Sequence, residues 1–252
     1  MKISKLADKI QLPSDENVYS PSHDSFLFLD YLDTEEFAVK MNGFLLNLSE
    51  NRQRKILSVL DCGSGTGILG FCLLYRLLTL SKISDFELIT LTFIDINPKA
   101  IEFTEQTVKN NLNFLNSVSA PSQVSKPGIE FRYFVSDLFK NVPSGNTYDI
   151  VVFNPPYLPD APRLINDSSR KIIDDSWDGG DDSGNRVLLD FFSELKPRIY
   201  HGTPVFFISS SRANLSELQK YLHITSFEVL LLQSCHYFFE DIILFEAKIK
   251  TD

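Results

Sequence analysis

The apolar run Val151-Val152-Phe153 ends in Asn154-Pro155-Pro156-Tyr157: an amide, two prolines and a phenol ring in succession. Prolines end strands because they have no N–H to give to a ladder. That accounts for one proline here, but not for the amide before the pair or the ring after it. The four residues have the makings of a receptor for a planar NH2 group. The Asn154 side-chain oxygen can accept one N–H and the Pro155 backbone carbonyl the other. Consecutive prolines fix φ near about −65°, so that carbonyl is set before a substrate arrives. Tyr157 can stack on the flat group. An amide or aromatic amine nitrogen has a delocalised lone pair and is a poor nucleophile. Holding both of its hydrogens aims its face at an electrophilic carbon. This is catalysis by orientation and preorganised electrostatics, with no metal and no covalent enzyme intermediate.

A second chemical stretch lies upstream. In "DCGSGTGILG", from Asp61 to Gly70, two templates overlap. Gly65 to Gly70 fits the GxGxxG of dinucleotide-binding turns. Asp61 with Gly63, Gly65 and Gly67 fits the acid-x-GxGxG of Rossmann-like methyltransferases. Two further acids end apolar runs: Asp95 in "FIDIN", suited to accept from ribose hydroxyls, and Asp137 in "SDLF", suited to an adenine amino group. Three acids at strand ends facing one cleft make a cradle for a neutral or cationic nucleoside. S-adenosylmethionine, which carries a sulfonium, suits that charge better than an anionic dinucleotide.

These residues need elements to position them. Short apolar runs at 55–61, 87–95, 129–138, 148–154, 204–210, 226–234 and 241–249 read as strands, the last two as an antiparallel hairpin. Helical patterns occupy 68–80, 185–199 and 213–222. Another follows Asn97-Pro98, an N-cap and first-turn proline, and puts Ile101, Thr104, Val108 and Leu112 on one face. Strands alternating with helices predict a mainly parallel α/β sheet. Residues 1–54 are less periodic apart from the helix start at 24–32. They read as an N-terminal extension packing on a domain over 55–252.

Bulk properties narrow the class. The 252-residue chain is 43% hydrophobic, with 21 Phe, which is enough for an ordinary globular core. Its formal charge of −9 disfavours a nucleic-acid partner. Three cysteines without a CxxC and four histidines without ligand spacing predict reduced thiols and no metal site. The charged N-terminus is not a signal peptide, and no apolar run nears the roughly 20 residues that span a bilayer. A soluble, cytoplasmic protein is expected.

In order along the chain, "DCGSGTG", "FIDINPKA", "SDLF" and "NPPY" resemble class I methyltransferases that act on planar nitrogens. "VYSPSHDSFLFLD" (18–30), "WDGGDDSGNRVLLDFF" (177–192) and "HYFFEDIILFEA" (236–247) narrow the resemblance to the archaeal and eukaryotic branch of the HemK family. These are protein-glutamine N5-methyltransferases of the GGQ motif in class I release factors. The resemblance covers about residues 17–248. It implies a Rossmann-like sheet of seven mostly parallel strands with helices on both faces, and S-adenosylmethionine as cofactor. It assigns Ser25, Asp61, Gly63, Asp95, Asp137, Leu138 and Asn154 to the cofactor or its neighbourhood, with Gly65 and Gly67 completing the loop. Tyr19 and Pro21 shape a lid, and Asn154 with Pro155, Pro156 and Tyr157 holds the substrate. Two departures stand out: Ser20 and His23 replace usual acids, and Asp61 replaces a usual Glu. His23 reads as a packing residue.

The same resemblance places "IEFRYFV" at a sheet edge, where an apolar strand needs cover. A small zinc-ribbon activator subunit is the implied partner, adding to residues 129–135, with self-association or cover by the 113–128 loop as the alternatives. Residues 158–190 hold eight Asp against four basic residues, which favours a basic protein loop over phosphates. Trp177 reads as a cover for a substrate peptide or an anchor for this loop. An adenine or guanine amino group offers the same planar NH2, so a nucleic-acid methyltransferase is the main rival. A protein lysine fits two acceptors less well. A nicotinamide oxidoreductase leaves NPPY unexplained, and a binding module would not need Asn154.

Overall fold

The computed structural model describes residues 1–118, 126–159 and 179–250. Chain order gives α1 (Ile3–Ala7), α2 (His23–Leu32), α3 (Glu35–Leu46), β1 (Ile56–Cys62), α4 (Ile68–Leu78), β2 (Leu88–Asp95), α5 (Pro98–Ser117) and β3 (Gly128–Val135). There follow β4 (Ile150–Phe153), α6 (Arg186–Leu195), β5 (Val205–Ser210), α7 (Leu215–Ile224), β6 (Phe227–Tyr237) and β7 (Glu240–Ile249). The seven strands form one sheet in the order β3-β2-β1-β4-β5-β7-β6. The first five are parallel, and β7 is antiparallel to both neighbours. The expected seven-stranded, mostly parallel architecture holds.

Alternation along the strands divides the core into two layers. Leu57 and Val59 of β1, Phe206 and Ile208 of β5, and Ile242 and Leu244 of β7 face one layer with α1 to α5. Leu60, Cys62, Val205, Phe207, Ile243 and Phe245 face the other, with α6 and α7. Helix α4 is buried on almost every side, as its apolar sequence requires. On α5 the predicted face needs one correction. Ile101, Thr104 and Val108 are buried, but Leu112 is 40% exposed. Its place is taken by Asn111, whose amide has a specific partner described below.

The N-terminal residues supply more structure than their weak periodicity suggested. Thr34 caps α3 by accepting the Phe37 N–H at 3.1 Å, and Phe37, Met41 and Leu45 recur every fourth residue on its buried face. Phe28, Tyr31 and Phe37 each pack against Phe206 of β5, with ring centroids 5.8 to 6.1 Å apart. Arg76 of α4 donates its Nε–H to the Leu32 carbonyl at the end of α2, 2.8 Å away. Residues 1–54 therefore share the central core. Among the described residues, no helix is long and apolar enough to cross a membrane.

Candidate active site

In an open parallel sheet, ligands bind beyond the carboxyl ends of the strands where the strand order reverses. Here that point lies between β1 and β4. The glycine loop follows β1, and Asn154 follows β4. Between them opens a cavity of about 800 Å³, within the range of small-molecule sites. Segments after β1, β2, β3 and β4 line it, together with residues 18–25 and the β6–β7 hairpin.

The glycine loop is closely supported. Gly63 sits at φ +63°, and a Cβ there would lie 2.9 Å from the Phe153 ring. Only glycine lets the loop cross the end of β4 so closely. Thr104 of α5 meets the Ser64 hydroxyl at 3.0 Å and donates to the Gly65 carbonyl at 3.2 Å. Asp95 accepts the Gly65 and Asn97 N–H groups, each at 2.8 Å, and so ties the loop to the start of α5. The Ile96 N–H adds a third backbone bond, which leaves the carboxylate acceptor capacity for a ligand hydroxyl.

Two of the three strand-end acids reach the cavity. Asp95 and Asp137 line it, whereas Asp61 does not. Helix α4 begins after Gly67, which has no side chain to cap it. Asp61 does so from beneath, accepting the Gly70 N–H at 2.8 Å. Burial raises its carboxyl well above the usual range. Gly67 is also absent from the lining, being packed against Thr104. Asp137 is exposed and paired with Lys140. Tyr19, Ser25, Gly63, Gly65, Leu138, Asn154, Pro155, Pro156 and Tyr157 all line the cavity.

The residue that organises the receptor is Asp24, which the sequence reading passed over. It is 3% exposed at the start of α2. Its Oδ2 accepts from Asn154 Nδ2 at 2.9 Å, from the Tyr19 hydroxyl at 3.0 Å and from the Tyr157 hydroxyl at 3.5 Å. Asn154 Oδ1 is buried and has no hydrogen-bond partner among the described residues. The carboxylate thus takes one N–H of the amide and leaves the amide oxygen to accept. The available signal was an acid beside the matched Ser25, in a stretch already rich in family residues.

Asn111 of α5 and Asn97, the N-cap of that helix, hold the N-terminal strap over the cavity. Asn111 accepts the Gln11 N–H at 2.9 Å and donates to the Gln11 carbonyl at 3.1 Å. Asn97 donates to the Asn17 carbonyl at 2.8 Å. Val18, Tyr19 and Pro21 of the strap then line the cavity. His23 is exposed and stacks on Tyr237, with ring centroids 3.5 Å apart, which is a packing role. On the far side, Gly184 sits at φ +72° and a Cβ there would lie 2.5 Å from the Tyr157 carbonyl oxygen. That close approach explains one glycine of the 177–192 block. Trp177 and residues 160–178 of the acidic loop lie outside the described residues.

The donor set suits S-adenosylmethionine. Five acids line the cavity, Asp24, Asp95, Asp137, Asp190 and Glu240, and no Lys or Arg does so among the described residues. Such a lining favours a nucleoside bearing positive charge and disfavours a pyrophosphate. The fit has a pH signature. Burial raises the Asp95 carboxyl above its ordinary value, with backbone N–H bonds opposing the rise. A ribose hydroxyl needs the ionised form as its acceptor. Affinity for S-adenosylmethionine is therefore expected to be full above that raised value and to fall as pH drops through it, before a free aspartate would titrate. Calorimetric titrations from neutral to mildly acidic pH check this, with Asp95→Asn flattening the profile. A wild-type affinity unchanged down to the ordinary aspartate range would contradict the assignment.

Comparison with known proteins agrees with this geometry. Residues 41–185 match the family model "Methyltransferase small domain". A putative protein N5-glutamine methyltransferase of Methanocaldococcus jannaschii is 26% identical over 94% of this chain and 95% of its own length. The eRF1 methyltransferase catalytic subunit mtq2 of Schizosaccharomyces pombe is 25% identical over 91% of this chain and 88% of its own. Among solved structures, the E. cuniculi Mtq2-Trm112 complex has a similar fold. It gives a TM-score of 0.55 at 18% identity, covering 93% of this chain and 99% of that one. The family match spans more than half of the chain and contains both the glycine loop and the NPPY segment, so the chain belongs to the methyltransferase small-domain family.

Proposed function

We propose that this protein methylates the side-chain amide nitrogen of a glutamine, in the GGQ motif of a class I release factor. One observation carries the reading: Asn154 lines the cavity, Asp24 holds its Nδ2, and its buried Oδ1 has no hydrogen-bond partner among the described residues. A buried acceptor without a partner is costly, and a substrate N–H removes that cost. The names of the full-length relatives point to the same substrate.

When bound, S-adenosylmethionine would supply an electrophilic methyl carbon, the bond to its sulfonium sulfur breaking as the bond to the amide nitrogen forms, with a neutral thioether leaving and one amide proton released to water. Asn154 Oδ1 accepts one N–H of the glutamine amide, and the Pro155 carbonyl accepts the other. Asp24 keeps the Asn154 amide from turning its NH2 toward the substrate, where two donors would oppose each other. Tyr157 covers the flat face of the amide, its ring steadied by its hydroxyl contact with Asp24. Gly63, Gly65, Asp95, Asp137 and Leu138 hold the nucleoside, with Ser25 and Tyr19 closing over it. Residues 1–54 form an extension that completes the receptor on the 55–252 catalytic unit. The acid-lined cavity weighs against nucleic acid as substrate.

A small activator subunit pairs with the edge strand at 129–135. In support, β3 ends the sheet, Val135 is 42% exposed, and the similar solved structure is a two-protein complex. The zinc-ribbon character of that subunit follows from the family resemblance, as does a cytoplasmic setting. The test is mass spectrometry of a purified class I release factor after incubation with the chain, with and without a Trm112-type subunit, and S-adenosylmethionine. One added methyl group on the GGQ glutamine is expected. An unmodified glutamine under both conditions overturns the proposal.

A further inference from the structure

The β6–β7 turn breaks two habits of protein surfaces. Phe238 and Phe239 form a two-residue hairpin turn, where Asn and Gly are the usual occupants. Phe238 sits at φ +54°, a left-handed conformation that is an outlier for a bulky residue. The two rings are also 73% and 94% exposed. Backbone strain combined with apolar exposure calls for a functional reason.

The position of the turn supplies that reason. Its flanking residues Tyr237 and Glu240 both line the cavity, so the rings stand on the rim of the site. The base of the turn is braced. His23 stacks on Tyr237, the Ser210 hydroxyl bonds the Glu240 carboxylate, and Phe238 meets the Tyr237 ring edge-on at 4.5 Å. The cavity beside the turn is acidic, with Glu240 and Asp190 on its lining, and Asp241 follows in sequence, bonded to the His236 ring. A free amino acid or nucleoside small enough to enter the cavity would need no aromatic pair outside it. A protein loop that puts one glutamine into the cavity leaves its neighbours on the rim.

We propose that Phe238 and Phe239 are the docking anchors for the substrate protein. They cover an apolar side chain near the target glutamine while the acids around them meet basic residues of the same loop. This rests on the reading of the site as a protein-glutamine methyltransferase and names the surface through which that substrate is held. Exposed aromatic rings with few rotatable bonds are effective anchors of this kind.

The test compares wild type with Phe239→Ser, whose replaced ring makes no core contact, and with Phe238→Gly, which suits the left-handed backbone. Initial rates are measured on an intact class I release factor and on a short peptide carrying its GGQ sequence. For the intact factor, KM is expected to rise roughly 10- to 30-fold in either variant, with a much smaller change in kcat. With the short peptide the rise shrinks to about threefold or less, because most of the docked surface is absent. The melting temperature of Phe238→Gly is expected to be no lower than wild type, which separates docking from folding. Equal KM values for variants and wild type on the intact factor overturn the inference while leaving the site reading intact. A wild type that leaves the factor unmethylated overturns both. Two further outcomes give the rings a different occupant and overturn it too. One is a wild-type dimer in sedimentation that the variants abolish. The other is wild-type flotation with phosphatidylserine-containing vesicles that the variants lose.

Discussion

Asn154→Ala is expected to lower kcat by about 100-fold or more, the loss typical when one preorganised hydrogen bond to a reacting group is removed. The size follows from the geometry. In wild type Asp24 holds the Asn154 amide and the amide oxygen has no competing partner among the described residues, so little reorganisation is spent when the substrate amide arrives. Alanine leaves one amide hydrogen unheld, and the nitrogen can rotate away from the line of attack. Much of that interaction develops as the nitrogen becomes more positive, so the loss falls on kcat more than on KM. Steady-state methylation of a release factor, with an unchanged melting temperature as the folding control, measures it. Activity within about threefold of wild type would mean that the Asn154 oxygen does not hold the substrate.

Asp24 should yield the second largest effect, although it is placed to touch Asn154 and not the reacting atoms. It is a positioning residue, and a graded series tests that role. Asp24→Ala removes the partner of Asn154 Nδ2 and frees the amide to flip. A hydrogen bond to a charged group contributes about 1.5–3 kcal/mol, so kcat should fall roughly 10- to 150-fold. Asp24→Asn keeps one oxygen for the Asn154 N–H but loses the charge, and should lie between Asp24→Ala and wild type. In the double variant Asp24→Ala/Asn154→Ala the losses should not add, because a missing amide cannot be misaligned. Additive losses would assign Asp24 an independent role, such as holding Tyr19 and Tyr157.

The sequence made some of this arrangement readable and hid the rest for identifiable reasons. Glycines and prolines mark turns through backbone constraints that act locally, so the loop after β1 and the Asn154–Tyr157 segment were evident before any fold was known. Strands buried on both faces announce themselves as apolar runs, as all of β4 and the Val205–Ile208 part of β5 do. Side-chain partners across long sequence separations leave no such mark. Asp24 lies 130 positions from Asn154, and a helix-start aspartate has an ordinary explanation as a local cap. Asp61 shows the converse: its position matches a cofactor contact, while its link to the Gly70 N–H of α4 leaves no mark in the sequence. Leu112 followed helical spacing correctly, but Asn111 claims the buried side by clamping Gln11. Helix α3 was missed although Phe37, Met41 and Leu45 keep its period, because exposed apolar residues such as Val39 blur the contrast between its faces.

The brace on Asn154 arrives from α2, and α2 is fastened to β5 through the Phe28, Tyr31 and Phe206 rings. The orienting carboxylate is therefore rooted in the deepest part of the molecule, not in a loose appendage. Methylation activity and the fold are accordingly expected to be lost together on heating, and parallel activity and circular-dichroism melts check this.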